Sequence, residues 1–177
     1  MSEVLETAKN VVEGSRHVRI NHEALQRFSQ ELAERGTAIP SWDAEHHFRG
    51  NDEEIIAYLL VADALNFCFW PPPGENKWEI MYKGKTYSGY YGLSVSLKKA
   101  IESGTPVTDA SFLASLTLKI LGQVFAGTGV LQLMVERLRN LQELGRVLQD
   151  KYNGQASELV TAAGGSAIKL VRMLAAD

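Results

Sequence analysis

Residues 51–73 read NDEEIIAYLLVADALNFCFWPPP, and their pattern decides the architecture. Asn51 followed three residues later by Glu54 is a capping-box start, and Asp52 and Glu53 suit the positive end of a helix. Ile55, Ile56, Leu59 and Leu60 fall on one side of that helix, with Tyr58, Ala62 and Leu65 on the other. A helix apolar all round is a buried one, so this stretch predicts the central helix of the fold. Pro71 to Pro73 cannot continue it. Before the prolines the greasy run is interrupted by Asp63 and Asn66 and then delivers Phe67, Phe69 and Trp70.

Working outward, the rest is mostly helical as well. Helices are expected over Val4 to Glu13 and from an Asn21 cap to about Arg35, the second carrying Leu25, Phe28 and Leu32 on one stripe. Residues 37–50 read as a loop punctuated by Pro40, Ser41 and Gly50. Trp78, Ile80 and Tyr82 alternate with polar neighbours, Lys-Gly-Lys turns, and Thr86 and Tyr87 return, which predicts a β-hairpin over about 77–88. A helix follows from near Ser88 to Glu102. Thr108 is the expected cap of another over Asp109 to Gly122, broken by the Ala-Gly-Thr-Gly at 126–129. Val130, Met134, Leu138, Leu141, Leu144 and Leu148 then mark the longest amphipathic segment. A last helix is expected from about Ser157, weakened by Gly164 and Gly165. Its open apolar face, running up to Asp177, suggests a packing partner outside this chain. These elements predict one mainly α domain over 1–177, bundle-like, with a single small hairpin.

Composition bounds the function. The chain has 177 residues, 45% hydrophobic and 22% charged, with a net charge of −3, which is the balance of a globular domain. Basic residues do not cluster, so no nucleic-acid groove is expected and a DNA duplex is not a predicted partner. The single cysteine, Cys68, forms no intrachain disulfide and fits a reducing compartment. The first residues lack the build of a signal peptide, and the apolar run from Ile55 to Trp70 is short for a membrane span. A cytoplasmic protein with no membrane contact is the expectation.

Several motifs fail on inspection. Gly84-Lys85-Thr86 would need a glycine at 79 to be a phosphate loop, and that residue is Glu79. His22-Glu23 opens like a zinc-protease helix, but Gln26 stands where the second histidine belongs. There is no Gly-x-Ser-x-Gly, and Cys68 has no histidine at fixed local spacing. His46 and His47 are adjacent, point to different sides and lack a third ligand, so neither a metal nor a cofactor is expected. One of them is either packed against Trp42 and Phe48 or donates to a polar ligand. Leu59, Asp63, Asn66 and Phe67 at i, i+4, i+7 and i+8 would share one helix face. An ionised Asp63 buried without a partner would cost several kcal/mol, so it must be paired, protonated or exposed to a cavity. Asn66 offers a donor and an acceptor, enough to read a base edge. Phe67, Phe69 and Trp70 either stack on a planar ring or belong to the core.

Three stretches in this order, Asn10–Asn21 (NVVEGSRHVRIN), Ala62–Trp70 (ADALNFCFW) and Tyr82–Thr117 (YKGKTYSGYYGLSVSLKKAIESGTPVTDASFLASLT), resemble the queuosine salvage protein family, the queuosine 5′-phosphate N-glycosylase/hydrolases. The likeness runs from about Ala8 to Leu174. It implies a largely helical fold similar to the helical DNA glycosylases. It also implies hydrolysis of the N-glycosidic bond of queuosine 5′-phosphate, a nucleotide, releasing the base queuine for tRNA modification. By the match, Asn66, Phe67, Phe69, Trp70, His47 and Asp63 fall where the family builds its base pocket. Such a reaction passes through an oxocarbenium-like state that a carboxylate must stabilise. In the family that aspartate heads an Asp-Tyr-Arg-x-Pro-Gln run in a downstream half, and nothing like it occurs here. The expectation is therefore the N-terminal half of a family member, with no catalytic residue in this chain. The alternative is a non-catalytic base-binding or interaction module that self-associates or needs a separate C-terminal half.

Overall fold

The computed structural model describes residues 3–36 and 40–176. Thr37 to Ile39 of the expected loop, and Asp177, lie outside the described residues. Contacts group the chain into two units that divide after Ser41. The first holds α1 (Glu3–Gly14) and α2 (His22–Arg35). Asn21 caps α2 as expected, its side chain accepting from the Ala24 amide at 3.0 Å. Leu25, Phe28 and Leu32 remain exposed.

The second unit is built around α3 (Asp52–Leu65). Its capping box is complete: Asn51 Oδ1 accepts from the Glu54 amide at 3.0 Å, and Glu54 Oε2 accepts from the Asn51 amide at 2.8 Å. Ala57, Tyr58, Val61, Ala62 and Leu65 are all buried, as an all-round apolar helix requires. The expected hairpin is β1 (Glu79–Tyr82) paired antiparallel with β2 (Lys85–Ser88), register Glu79 to Ser88. Lys83 and Gly84 turn it with φ of 48° and 76°, the two positive values of a type I′ turn, which glycine adopts without strain. Trp78, Ile80 and Tyr82 point into the core while Met81 faces solvent.

The hairpin runs directly into α4 (Gly89–Glu102). Here one expectation needs correcting. Thr108 is not a cap: Asp109 is, accepting from the Phe112 amide at 2.7 Å. The single helix expected over 109–122 is two, α5 (Ala110–Ala114) and α6 (Leu118–Val124), the second capped by Thr117. Capping side chains bind backbone amides in competition with helix continuation, and this segment carries two of them eight residues apart. The Ala-Gly-Thr-Gly segment does more than break a helix. Thr128 exchanges two 2.9 Å hydrogen bonds with Glu79 on the free edge of β1.

The long amphipathic helix is α7 (Met134–Tyr152), so Val130 precedes it instead of belonging to its stripe. Leu141 and Leu148 are buried. Gly145 sits so close to α5 that a Cβ there would lie 2.4 Å from the Ala114 amide nitrogen and 2.6 Å from the Ala110 carbonyl oxygen. The last expected helix is divided at Gly164 and Gly165, both at positive φ, into α8 (Ala156–Ala162) and α9 (Ala167–Ala176). Ile168, Val171 and Leu174 of α9 are exposed. Among the described residues no single helix is long and apolar enough to cross a membrane; α8 and α9 reach that length only together, bent by 118°.

Candidate functional site

The helix that decides the fold ends five residues short of the prolines, and this corrects the expected geometry. Residues Leu59 and Asp63 lie on α3, but Asn66 is its C-cap (φ −80°, ψ 61°) and Phe67 lies beyond it. The four do not share a helix face. The cause is a side chain from α7. Arg137 is fully buried, and among the described residues it has no carboxylate within ion-pair distance. Its Nη1 donates to the Leu65 carbonyl and its Nη2 to those of Phe67 and Cys68, the last at 3.1 Å. Its Nε donates to the Gln132 carbonyl at 3.0 Å. Asn140 Nδ2 takes the Ala64 carbonyl at 3.0 Å and Gln132 Nε2 the Trp70 carbonyl at 2.6 Å.

The carbonyls that a helix end leaves without partners are thus supplied with donors from α7 and its entry, and the chain turns out at Asn66. Cys68 adopts φ 49° within this turn. A planar guanidinium with five donors is suited to bridging several carbonyls at once, where a lysine is not. Phe67 and Phe69 pack on the guanidinium, with its carbon 4.4 and 5.3 Å from their ring centroids. Burial pushes the Arg137 pKa down, yet an arginine keeps its charge in a protein.

A second loop, 42–48, is held from α4 by the same device. Lys98 Nζ donates to the carbonyls of Ala44 (2.7 Å) and Glu45 (3.1 Å), and Ser94 Oγ donates to that of His46 (2.6 Å). The two histidines do point apart. His46 Nδ1 pairs with Asp43 at 2.7 Å, and its ring lies 4.5 Å from that of Tyr91. His47 turns inward: Nδ1 is 2.9 Å from Ser94 Oγ and 3.2 Å from the Tyr58 hydroxyl. Its ring lies 5.4 Å from Trp42 and 5.6 Å from Tyr90. Burial lowers the His47 pKa, opposed by the charge of Asp43 and helped by that of Lys98. The ring is therefore neutral at pH 7. Tyr58, buried beneath it, has its pKa pushed up to about 12.

Asp63 is exposed, so the cost of burying it, on which its expected pairing, protonation or cavity rested, does not arise. Burial first, and then the charge of Asp63, raises the Tyr90 pKa. The structure assembles two groups, His47 with Tyr90 and Phe67 with Phe69 on Arg137; among the described residues the Asp63 side chain has no hydrogen bond or ion pair with either. Asn66 and Trp70 are exposed on the turn, Trp70 by 69%. Among the described residues no hydrogen bond or ring contact joins the two groups, and no cluster of three metal-ligating side chains exists. A cavity of about 190 Å³ between α4 and α6 is lined by other residues, including Ser96, Lys99 and Gln123.

Arg137, Ser94, Lys98, Tyr58 and Tyr90 are absent from the sequence-based site. One signal pointed to Arg137: it falls on the apolar stripe of α7, three residues after Met134 and four before Leu141. A cation in that register is buried and needs acceptors.

The fold and site define a mainly helical protein that presents an aromatic and hydrogen-bonding surface on two loops pinned by buried cations. The chain belongs to the queuosine salvage protein family, whose model matches residues 46–177. It is 44% identical over 168 residues to a queuosine 5′-phosphate N-glycosylase/hydrolase of Sphaerobacter thermophilus, covering 95% of this chain and 51% of the relative. Proteins of the same description from Mus musculus and Bos taurus are 34% and 35% identical, over 96% of this chain and 52% of each relative. The chain spans about half the length of the curated relatives it matches.

Proposed function

We propose that this chain is the base-binding, N-terminal half of a queuosine 5′-phosphate N-glycosylase/hydrolase, which frees queuine by hydrolysing the N-glycosidic bond. The observation that carries the reading is the 44% identity to a relative of that description across 95% of the chain. The braced turn at 64–70 supports it, because a preorganised aromatic turn binds a planar base without the entropy of ordering it. In this reading Asn66 meets the base edge, Phe67, Phe69 and Trp70 supply ring faces, and Asp63 and His47 lie at the polar end. No residue of this chain is assigned the oxocarbenium-stabilising role. The reaction belongs to salvage of a tRNA-modifying base and is placed in the cytoplasm. A net charge of −3 argues against a DNA duplex as substrate.

The exposed Ile168, Val171 and Leu174 of α9 favour a companion reading: the chain acts only when that apolar face is covered by a further half or a second copy. The test incubates the protein at its full natural length with queuosine 5′-phosphate and follows free queuine by mass spectrometry. Release of queuine is expected. If none appears, the reading is lost.

A further inference from the structure

We infer that Ser94 locks His47 as its Nδ1–H tautomer, so that its Nε2 lone pair faces outward as an acceptor for an O–H or N–H donor of the ligand. The argument is an accounting of protons. The His46 carbonyl lies 2.6 Å from Ser94 Oγ and has no hydrogen of its own, so the Ser94 proton is committed to it. Ser94 Oγ then offers only lone pairs to its other two neighbours, Tyr58 OH at 2.8 Å and His47 Nδ1 at 2.9 Å. His47 Nδ1 must therefore donate, while the Tyr58 hydroxyl donates either to Ser94 Oγ or to the Ser94 carbonyl at 3.4 Å. A bare Nδ1 at that distance would set two lone pairs against each other.

With the Ser94 proton given to the His46 carbonyl, Ser94 Oγ accepts from Nδ1 whichever of its two oxygen acceptors the Tyr58 proton takes. A neutral imidazole protonated at Nδ1 carries its lone pair on Nε2. Among the described residues Nε2 has no hydrogen-bond partner, and no buried side-chain nitrogen or oxygen lacks one, so Nε2 reaches solvent. The expectation that a histidine donates to a polar ligand is thus reversed in sign. A lone pair also repels phosphate and carboxylate oxygens, which assigns His47 to the base or sugar end of a nucleotide and not to its 5′-phosphate. The tautomer stands on this geometry alone; the identity of the ligand rests on the proposed function.

The test is long-range proton–nitrogen correlation NMR on the nitrogen-15-labelled chain, with His47 identified by its loss in H47Q. A protonated Nδ1 and an unprotonated Nε2 are expected at neutral pH, unchanged in Y58F because Ser94 still accepts, and lost to a tautomer mixture in S94A. A native His47 carrying its proton on Nε2 would overturn the inference, whether or not S94A folds. In the full-length protein, queuosine 5′-phosphate should shift the Nε2 resonance while inorganic phosphate leaves it in place. H47L should weaken nucleotide binding roughly two- to tenfold, the worth of one neutral hydrogen bond, and H47Q, which retains an oxygen near the Nε2 position, should weaken it less. Binding with Nε2 unmoved overturns the acceptor role and spares the proposed function. No binding at all overturns both of these while leaving the tautomer measurement standing.

Discussion

Replacing Arg137 with methionine separates two opposed effects, and the structure decides which prevails. Methionine of similar length removes the cost of burying a cation that has no carboxylate partner, and replacing buried charges by apolar groups is often neutral or stabilising. At this position, however, four carbonyls lose their donor: those of Gln132, Leu65, Phe67 and Cys68. Leu65 is fully buried, and an orphaned buried acceptor costs about 1–3 kcal/mol. The other three belong to half-buried residues that water can reach, at about 0.5–1 kcal/mol each. Loss of the guanidinium from the faces of Phe67 and Phe69 removes about 0.5–2 kcal/mol more. Against this stands the relief of the buried charge together with an apolar gain of about 1–2 kcal/mol. A net destabilisation of about 3 kcal/mol is expected for R137M. R137K should fall between it and the native protein, since an ammonium cannot span the same carbonyls. Urea unfolding followed by circular dichroism measures this as a lower midpoint at unchanged slope. A midpoint for R137M equivalent to less than about 1 kcal/mol of loss would refute the claim that Arg137 is what holds the turn.

Other expectations rest on different contacts. G145A should cost about 3 kcal/mol or more by the same unfolding assay, because the added Cβ would lie 2.4 Å from backbone of α5 and neither helix can retreat without opening the core. E53A should cost about 2 kcal/mol: Glu53 on α3 accepts from the Ala156 and Ser157 amides at 2.7 and 2.8 Å, two charge-assisted bonds at the start of α8. Stability should fall as the pH drops below about 6.5, the ordinary histidine value. His47 has a folded pKa below that value because it is buried, so the unfolded chain binds more protons in the interval and acid favours unfolding. H47Q should flatten this arm. A separate loss is expected at lower pH, where Asp109, held down by bonds from Ser111 and the Phe112 amide, becomes protonated; D109N should flatten that one in an acid titration.

The central helix and hairpin were legible because their signals are local. The Asn51–Glu54 pair, the all-round apolar run and the alternation of Trp78, Ile80 and Tyr82 each specify their element within a few residues. The end of α3 was not legible for the opposite reason. Prolines 71–73 forbid continuation, but the helix stops at Leu65 because a side chain 72 residues later takes its last carbonyls. The division of α5 from α6 was missed by taking Thr108 for the cap when Asp109 and Thr117 both serve. Of the site, the residue types at 63–70 and His47 were readable. Their surroundings were not, since His47 Nδ1 meets Ser94 and Tyr58 on two other helices, and the backbone of the turn meets Arg137 on a third.

The turn at 64–70 is proposed to hold the base of queuosine 5′-phosphate. Trp70, 69% exposed, contributes a ring face that the fold does not need, so W70A should leave unfolding unchanged. The direct measurement is the initial rate of queuine release by the full-length protein against queuosine 5′-phosphate concentration, for native protein and W70A. Loss of one stacking face at about 1–3 kcal/mol predicts a kcat/KM lower by about 5- to 150-fold in W70A. Equal kcat/KM in the two proteins, or no queuine from either, would contradict the account.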